Sequence, residues 1–148
     1  MGSALGDRAA LIWSLAGSGL GTTISANGNS GAYAANTDYA YRTPVDLRWT
    51  DDLTITAYVA GAVTGTTPSL TVQLGFYDDQ GNLFQPSTLK LTAITAQSNA
   101  TTAQFLAVGR HAGSAGTYIA LPEWGQIAWT VTGTTPVFNQ VEIAVYAR

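Results

Sequence analysis

The sequence predicts an all-β protein, a two-sheet β-sandwich or jelly roll with an extended N-terminal arm. Three observations lead there. The hexapeptide Val-Thr-Gly-Thr-Thr-Pro occurs twice, at 63–68 and 131–136, each time between two apolar runs, which reads as a strand–turn–strand unit built twice. Apolar and polar residues alternate with a period of two over several runs. Gly, Pro, Asn and Asp clusters separate those runs into about seven or eight short strands, the spacing of a sandwich.

The expected division is an arm and loop over residues 1–45 and a sandwich domain over 46–148. In the first part the apolar run 9–16 is followed by Gly/Ser/Asn-rich stretches at 17–21 and 25–31. Such composition favours turns and extended backbone. Short strands fit residues 10–15 and 39–43, and Leu11, Ile12 and Leu15 also fit one turn of helix. An ordinary first strand with a long loop is one reading. An arm that orders against a neighbouring subunit is the preferred one, because structureless stretches beyond ~12–15 residues are uncommon inside a compact domain.

From Asp46 onward the alternation is clear. Leu53, Ile55, Ala57 and Val59 alternate with Thr54, Thr56 and Tyr58, and Leu70, Val72, Leu74 and Phe76 repeat the pattern. Residues 78–82, Asp-Asp-Gln-Gly-Asn, resemble part of a calcium loop but lack its ligand spacing and terminal Glu, so a hairpin turn with Gly81 at positive φ is expected. Further strands are expected at 88–95, 102–108, 116–121, 126–131 and 141–146. The expected core is Leu53, Ile55, Val59, Leu70, Val72, Leu74, Ile127, Trp129, Val141 and Ile143. Aligning the two repeats superposes Leu70 on Phe138, yet the apolar parity after the second copy is Val141, Ile143 and Val145. One extra residue must be absorbed, by a β-bulge at Asn139-Gln140 or by Phe138 lying outside the strand.

Composition bounds the function. At 148 residues the chain fits one domain that buries roughly two thirds of its unfolded surface. Hydrophobic residues make up 46% and charged residues only 10%, against about 25% in an ordinary globular chain. A surface covered by Thr, Ser, Asn, Gln and Gly is poorly guarded against association. It fits a protein that meets other subunits, and equally a compact extracellular sandwich. The net charge is −3 with no basic stretch, so nucleic acid is not an expected partner. The absence of cysteine excludes a disulfide framework and thiolate metal sites. Residues 9–16 are shorter than the ~20 apolar residues that span a bilayer. They also lack a basic leading segment, so neither a membrane partner nor a signal peptide is expected.

No catalytic, cofactor or metal set is legible, and a non-enzyme is expected. His111 is the lone histidine, in a small-residue loop with no carboxylate near in sequence. Glu123 and Glu142 are a conceivable glycosidase pair, but nothing in the sequence brings them together. Trp13, Trp49, Trp124 and Trp129 could serve sugar stacking, which makes a carbohydrate-binding module the competing class. Trp49 and Trp129, flanked by alternation, read as core. Trp124, between Pro-Glu and Gly, reads as the exposed aromatic, and exposed aromatics mark protein interfaces as readily as sugar sites.

The stretch 53–76, with its Val-Thr-Gly-Thr-Thr-Pro-Ser-Leu-Thr-Val-Gln-Leu, resembles small β-sandwich virion proteins of tailed bacteriophages. So does Ile-Ala-Trp-Thr-Val-Thr-Gly-Thr-Thr-Pro at 127–136. The resemblance covers roughly 46–148 and consists of turn and packing residues, so no functional residue carries over. It implies a head decoration (cement) protein on the capsid surface of the virion, made in the host cytoplasm. The implied partner is the major capsid protein, and the implied homo-oligomer is a trimer. A tail or fibre-base component is the nearest alternative. The interface residues expected from exposure are Leu11, Ile12, Trp13 and Leu15 on the arm, buried between chains, together with Trp124.

Overall fold

The computed structural model describes residues 9–15, 21–31, 45–111, 116–118 and 120–148. The expected strand at 39–43 and the Gly/Ser stretch at 17–20 lie outside them. Among the described residues the regular structure is almost all strand, in chain order β1 (Ala10–Ser14), β2 (Thr22–Ile24), β3 (Gly28–Asn29), β4 (Val45–Asp46), β5 (Asp52–Val59), β6 (Val63–Tyr77), β7 (Leu83–Phe84), β8 (Gln104–Gly109), β9 (Thr117–Tyr118) and β10 (Trp124–Ala147). A 3-10 turn, Ala100–Thr102, is capped by Asn99. The all-β expectation holds.

All ten strands form one sheet, and β10 is its axis. Along one edge of β10 the chain runs antiparallel as β1 to β4, from Ala10 opposite Ala147 to Asp46 opposite Trp124. Along the other edge β5 and β6 do the same, from Leu53 opposite Ala147 to Phe76 opposite Gly125. Beyond β5 lie β8 and then β9, the latter in parallel. Beyond β6 lie β7 and two isolated bridges, Leu70–Ile94 and Gln73–Lys90. The expected strand at 88–95 is reduced to those bridges.

The described N-terminal residues therefore do not form a free arm. Residues 10–14 are a strand of this chain's own sheet, and Trp13 and Leu15 pack against its core. The run can pair because β10 offers its unpaired edge over residues 144–147, and backbone groups beside an open edge gain partners by joining it.

The core lies on one face, and the sheet curls around it. Leu53, Ile55, Ala57 and Val59 of β5, Leu70, Val72, Leu74 and Phe76 of β6, and Val141, Ile143 and Val145 of β10 are all buried in one cluster. Of the ten expected core residues only Trp129 is less than buried, and it packs against the cluster. Phe138 is fully buried inside β10, so parity changes within the strand. The change sits at Gln140, where φ is 53° and the register with β2 shifts between Phe138 and Val141. This is the expected β-bulge, and it bends β10 where the chain passes from β5 to β6 on the neighbouring edge.

The two hexapeptides do not close two hairpins. They lie inside β6 and β10 and pair with each other, Thr66 opposite Thr134, as an exposed ribbon. Each copy carries one irregularity: Gly65 and Thr67 have φ of 109° and 49°, and Gly133 and Thr135 have 117° and 47°. A Cβ on Gly65 would stand 2.8 Å from the Thr135 carbonyl oxygen, and one on Gly133 would stand 2.8 Å from that of Thr67. A local pseudo-twofold through the Thr66–Thr134 pair thus relates the copies. Gly-Thr-Thr-Pro is a turn signature because it supplies positive φ and interrupts hydrogen bonding, and a pair of bulges needs the same properties. The remaining hairpin expectation is met at 78–82. Asp78 Oδ1 accepts from the Gln80 and Asn82 amides, Gly81 has φ 86°, and β7 returns along β6.

Candidate binding surfaces

The sheet's pleat builds two uncharged cross-strand rows on the outer face of β1, β10, β5 and β8. Successive residues point to opposite faces, so the partners of outward residues are outward too. One cross-strand row is Leu11, Tyr146, Thr54 and Ala107, and the next is Ser14, Ala144, Thr56 and Phe105. Neither row holds a charge. Three of the eight side chains are large, apolar and exposed: Leu11 at 57%, Phe105 at 66% and Tyr146 at 37%. Neighbouring strands stand ~4.8 Å apart, so each row extends about 14 Å.

A second surface is a cleft of about 350 Å³ at the end of β10, lined by Ile12, Asp46, Trp49, Thr50, Ala147 and Arg148. Trp49 stands 93% exposed beside it. The cause is local: the Thr50 amide donates to the Leu47 carbonyl at 3.0 Å, closing a turn whose corners are Arg48 and Trp49. Alternation ends there and the indole swings outward, which corrects the expectation of a core Trp49. The turn is held on both sides. Leu47 is buried and its amide donates to the Glu123 carbonyl at 2.9 Å. Arg48 donates through Nε and Nη2 to the two carboxylate oxygens of Asp46, at 3.1 and 2.8 Å. Those side-chain bonds hold the Asp46 carboxyl below its ordinary value, against the upward push of partial burial.

The same arginine covers Trp124. Its guanidinium carbon lies 4.8 Å from the indole centroid, and Trp124 is only 6% exposed, inside β10 rather than in a turn. Trp124, expected to be the exposed aromatic, is buried, and Trp49, expected in the core, is exposed. The two roles are exchanged.

Asp52, His111 and Arg148 meet near the far end of β5. Asp52 Oδ2 lies 2.9 Å from His111 Nδ1 and accepts from Arg148 Nε at 3.2 Å, while Oδ1 accepts from the His111 amide at 2.6 Å. Burial raises the Asp52 carboxyl, but the His111 bonds and Arg148 outweigh it and hold it below its ordinary value. Sequence reasoning missed this carboxylate because it lies on the paired strand. These bonds staple the start of β5 to His111, just after β8, and to Arg148, just after β10. Glu123 stands just before β10, and Glu142 lies within it, opposite Tyr58 of β5. Among the described residues no three His, Cys, Asp or Glu side chains group as a metal site, and no helix is long and apolar enough to cross a membrane.

Of the expected interface residues, Leu11 and Ile12 are exposed on β1, Trp13 and Leu15 lean on the core, and Trp124 is buried in β10. The structure divides this set between two surfaces and the interior. The chain matches no protein-family model, no curated protein and no solved structure.

Proposed function

We propose that this chain is a non-enzymatic structural protein of a tailed-phage virion, a decoration protein that docks on the major capsid protein and stabilises the head. The observation that supports it is the pair of uncharged cross-strand rows on the outer face of β1, β10, β5 and β8, with Leu11, Phe105 and Tyr146 exposed in a chain whose charge is already low. Contiguous apolar surface rimmed by neutral polar side chains is what a permanent partner covers. In this reading the curled sheet is a two-layer sandwich, bent at Gln140 and at residues 60–62. Bound copies contribute RT ln(1 + [L]/Kd) each to the assembled state, so many modest contacts reinforce a shell. The protein acts as a homo-oligomer, a trimer in the class it resembles.

Capsids stripped of the protein and then reloaded to full occupancy test the reading. Loaded particles should rupture at higher temperature than bare ones, and equal thresholds would remove the cementing role. Phe105→Glu, at a 66% exposed position, should abolish loading while leaving the free protein folded.

A further inference from the structure

We infer that the cleft beside Trp49 is a binding site for a neutral saccharide, a site separate from the docking face proposed above. The indole is large, apolar and almost fully in water, a placement that forgoes the burial aromatic side chains normally gain. The turn that carries it is held in place. The Leu47–Thr50 turn bond, the buried Leu47 and the Arg48–Asp46 pair hold the turn's backbone. An aromatic side chain on a fixed backbone has only two torsions left to order, which lowers the entropic cost of binding.

The surroundings specify the ligand chemistry. Ile12 and Ala147 add apolar lining, while Asp46, Thr50 and Arg148 place an acceptor, a hydroxyl and a donor around the same cleft. Its volume falls at the low end of the ~300–1,000 Å³ range of small-molecule sites. The charges around it are balanced: Asp46 is paired with Arg48 at 2.8 Å and Arg148 with Asp52 at 3.2 Å. A charged ligand would have to displace the partner in one of those pairs to gain its full interaction. A neutral ligand that offers one apolar face to the indole and several hydroxyls to the rim disturbs neither. A pyranose ring has that division, with axial C–H groups on a face and hydroxyls at its edge. The hydroxyls can donate to Asp46 and accept from the terminal nitrogens of Arg148, whose Nε alone is committed to Asp52.

The test uses the full chain on an array of neutral and acidic glycans, followed by tryptophan-fluorescence titration with the best neutral oligosaccharide. Binding to neutral glycans is expected, with a change in emission as the exposed indole is covered. Trp49→Ala should weaken it about tenfold or more, the scale of losing one anchoring aromatic. Trp49→Phe should retain part of it. The melting temperature of Trp49→Ala should stay at the parent value, because that side chain is 93% exposed. An array with no neutral hit, binding confined to acidic glycans, or undiminished binding by Trp49→Ala would each overturn the site. So would an unchanged array signal of zero combined with loss of capsid loading by Trp49→Ala, which would make the indole a protein anchor. Capsid loading retained by Trp49→Ala but lost by Phe105→Glu separates this site from the docking face.

Discussion

Two regions of β10 follow different rules. Over Val141, Ile143 and Val145 the strand lies beside β2 and β1 on one edge and β5 on the other, with its inward side chains fully buried. Over residues 132–135 it belongs to the hexapeptide ribbon, where side chains on both strands are exposed and the register shifts twice. In the first region side-chain parity carries the stability. In the second, backbone conformation does: Gly65, Thr67, Gly133 and Thr135 hold positive φ, and bulky neighbours are replaced by close carbonyl contacts. The same strand is thus specified by packing at one place and by turn chemistry at another.

Single-residue insertions should separate the two regimes most sharply. An alanine inserted after Glu142 turns Ile143, Val145 and Ala147 away from the core, and cooperative thermal unfolding should disappear. An alanine inserted after Thr134 meets only exposed, already bulged backbone, and a cooperative transition should survive. If both insertions behaved alike, the distinction would be wrong.

Next in size are Gly65→Ala and Gly133→Ala. Each puts a Cβ 2.8 Å from a backbone carbonyl at positive φ, so each should cost more than about 1 kcal/mol in denaturant unfolding. The pseudo-twofold predicts equal costs, and the double variant should be non-additive because the two sites share one ribbon. Unequal costs would mean the copies are alike in sequence only. A smaller effect of opposite sign is expected from Thr67→Gly or Thr135→Gly. Left-handed backbone costs a non-glycine residue about 1–2 kcal/mol, glycine's extra freedom takes back about 0.5–1, and the net gain is a few tenths to about 1 kcal/mol.

The smallest effect concerns the staple at the β5 end. The Asp52 carboxyl is held below its ordinary value of 3.8, so its contribution is present above that pH and is lost as pH falls through the lowered folded value. Asp52→Asn should cost on the order of 0.2–1 kcal/mol at pH 7, as for exposed ion pairs. The gap between parent and variant should narrow in melts taken at progressively lower pH below 3.8. A gap that persists there would assign the cost to lost packing instead of charge.

Much of the first regime was legible in the sequence. Alternation in 53–59 and 70–76 marks the inward residues directly, and the mismatch of Phe138 with Val141 requires the bulge found at Gln140. The second regime was not. Val-Thr-Gly-Thr-Thr-Pro is chemically equal to a turn, and only pairing between distant segments turns it into a bulged ribbon. The binding surfaces divide in the same way. Tyr146 and Phe105 share a face only through the register of three strands. The exchange of Trp49 and Trp124 depends on a four-residue turn and on where Arg48 lies, although Leu-Arg-Trp-Thr-Asp-Asp already carried a turn signal in its paired aspartates.

The central place of β10 also orders the protein in time. Among the described residues β1 to β4 pair with no strand but β10, so these four strands cannot enter the sheet until residues 124–147 have been synthesised. Such non-local pairing makes folding slow, because the whole intervening loop must close before its first contact is rewarded. Meanwhile β5 can pair with β8, and β6 with β7, as soon as each emerges. The nascent chain therefore carries a partly formed scaffold and a waiting N-terminal segment. The arrival of the C-terminal strand zips both edges at once.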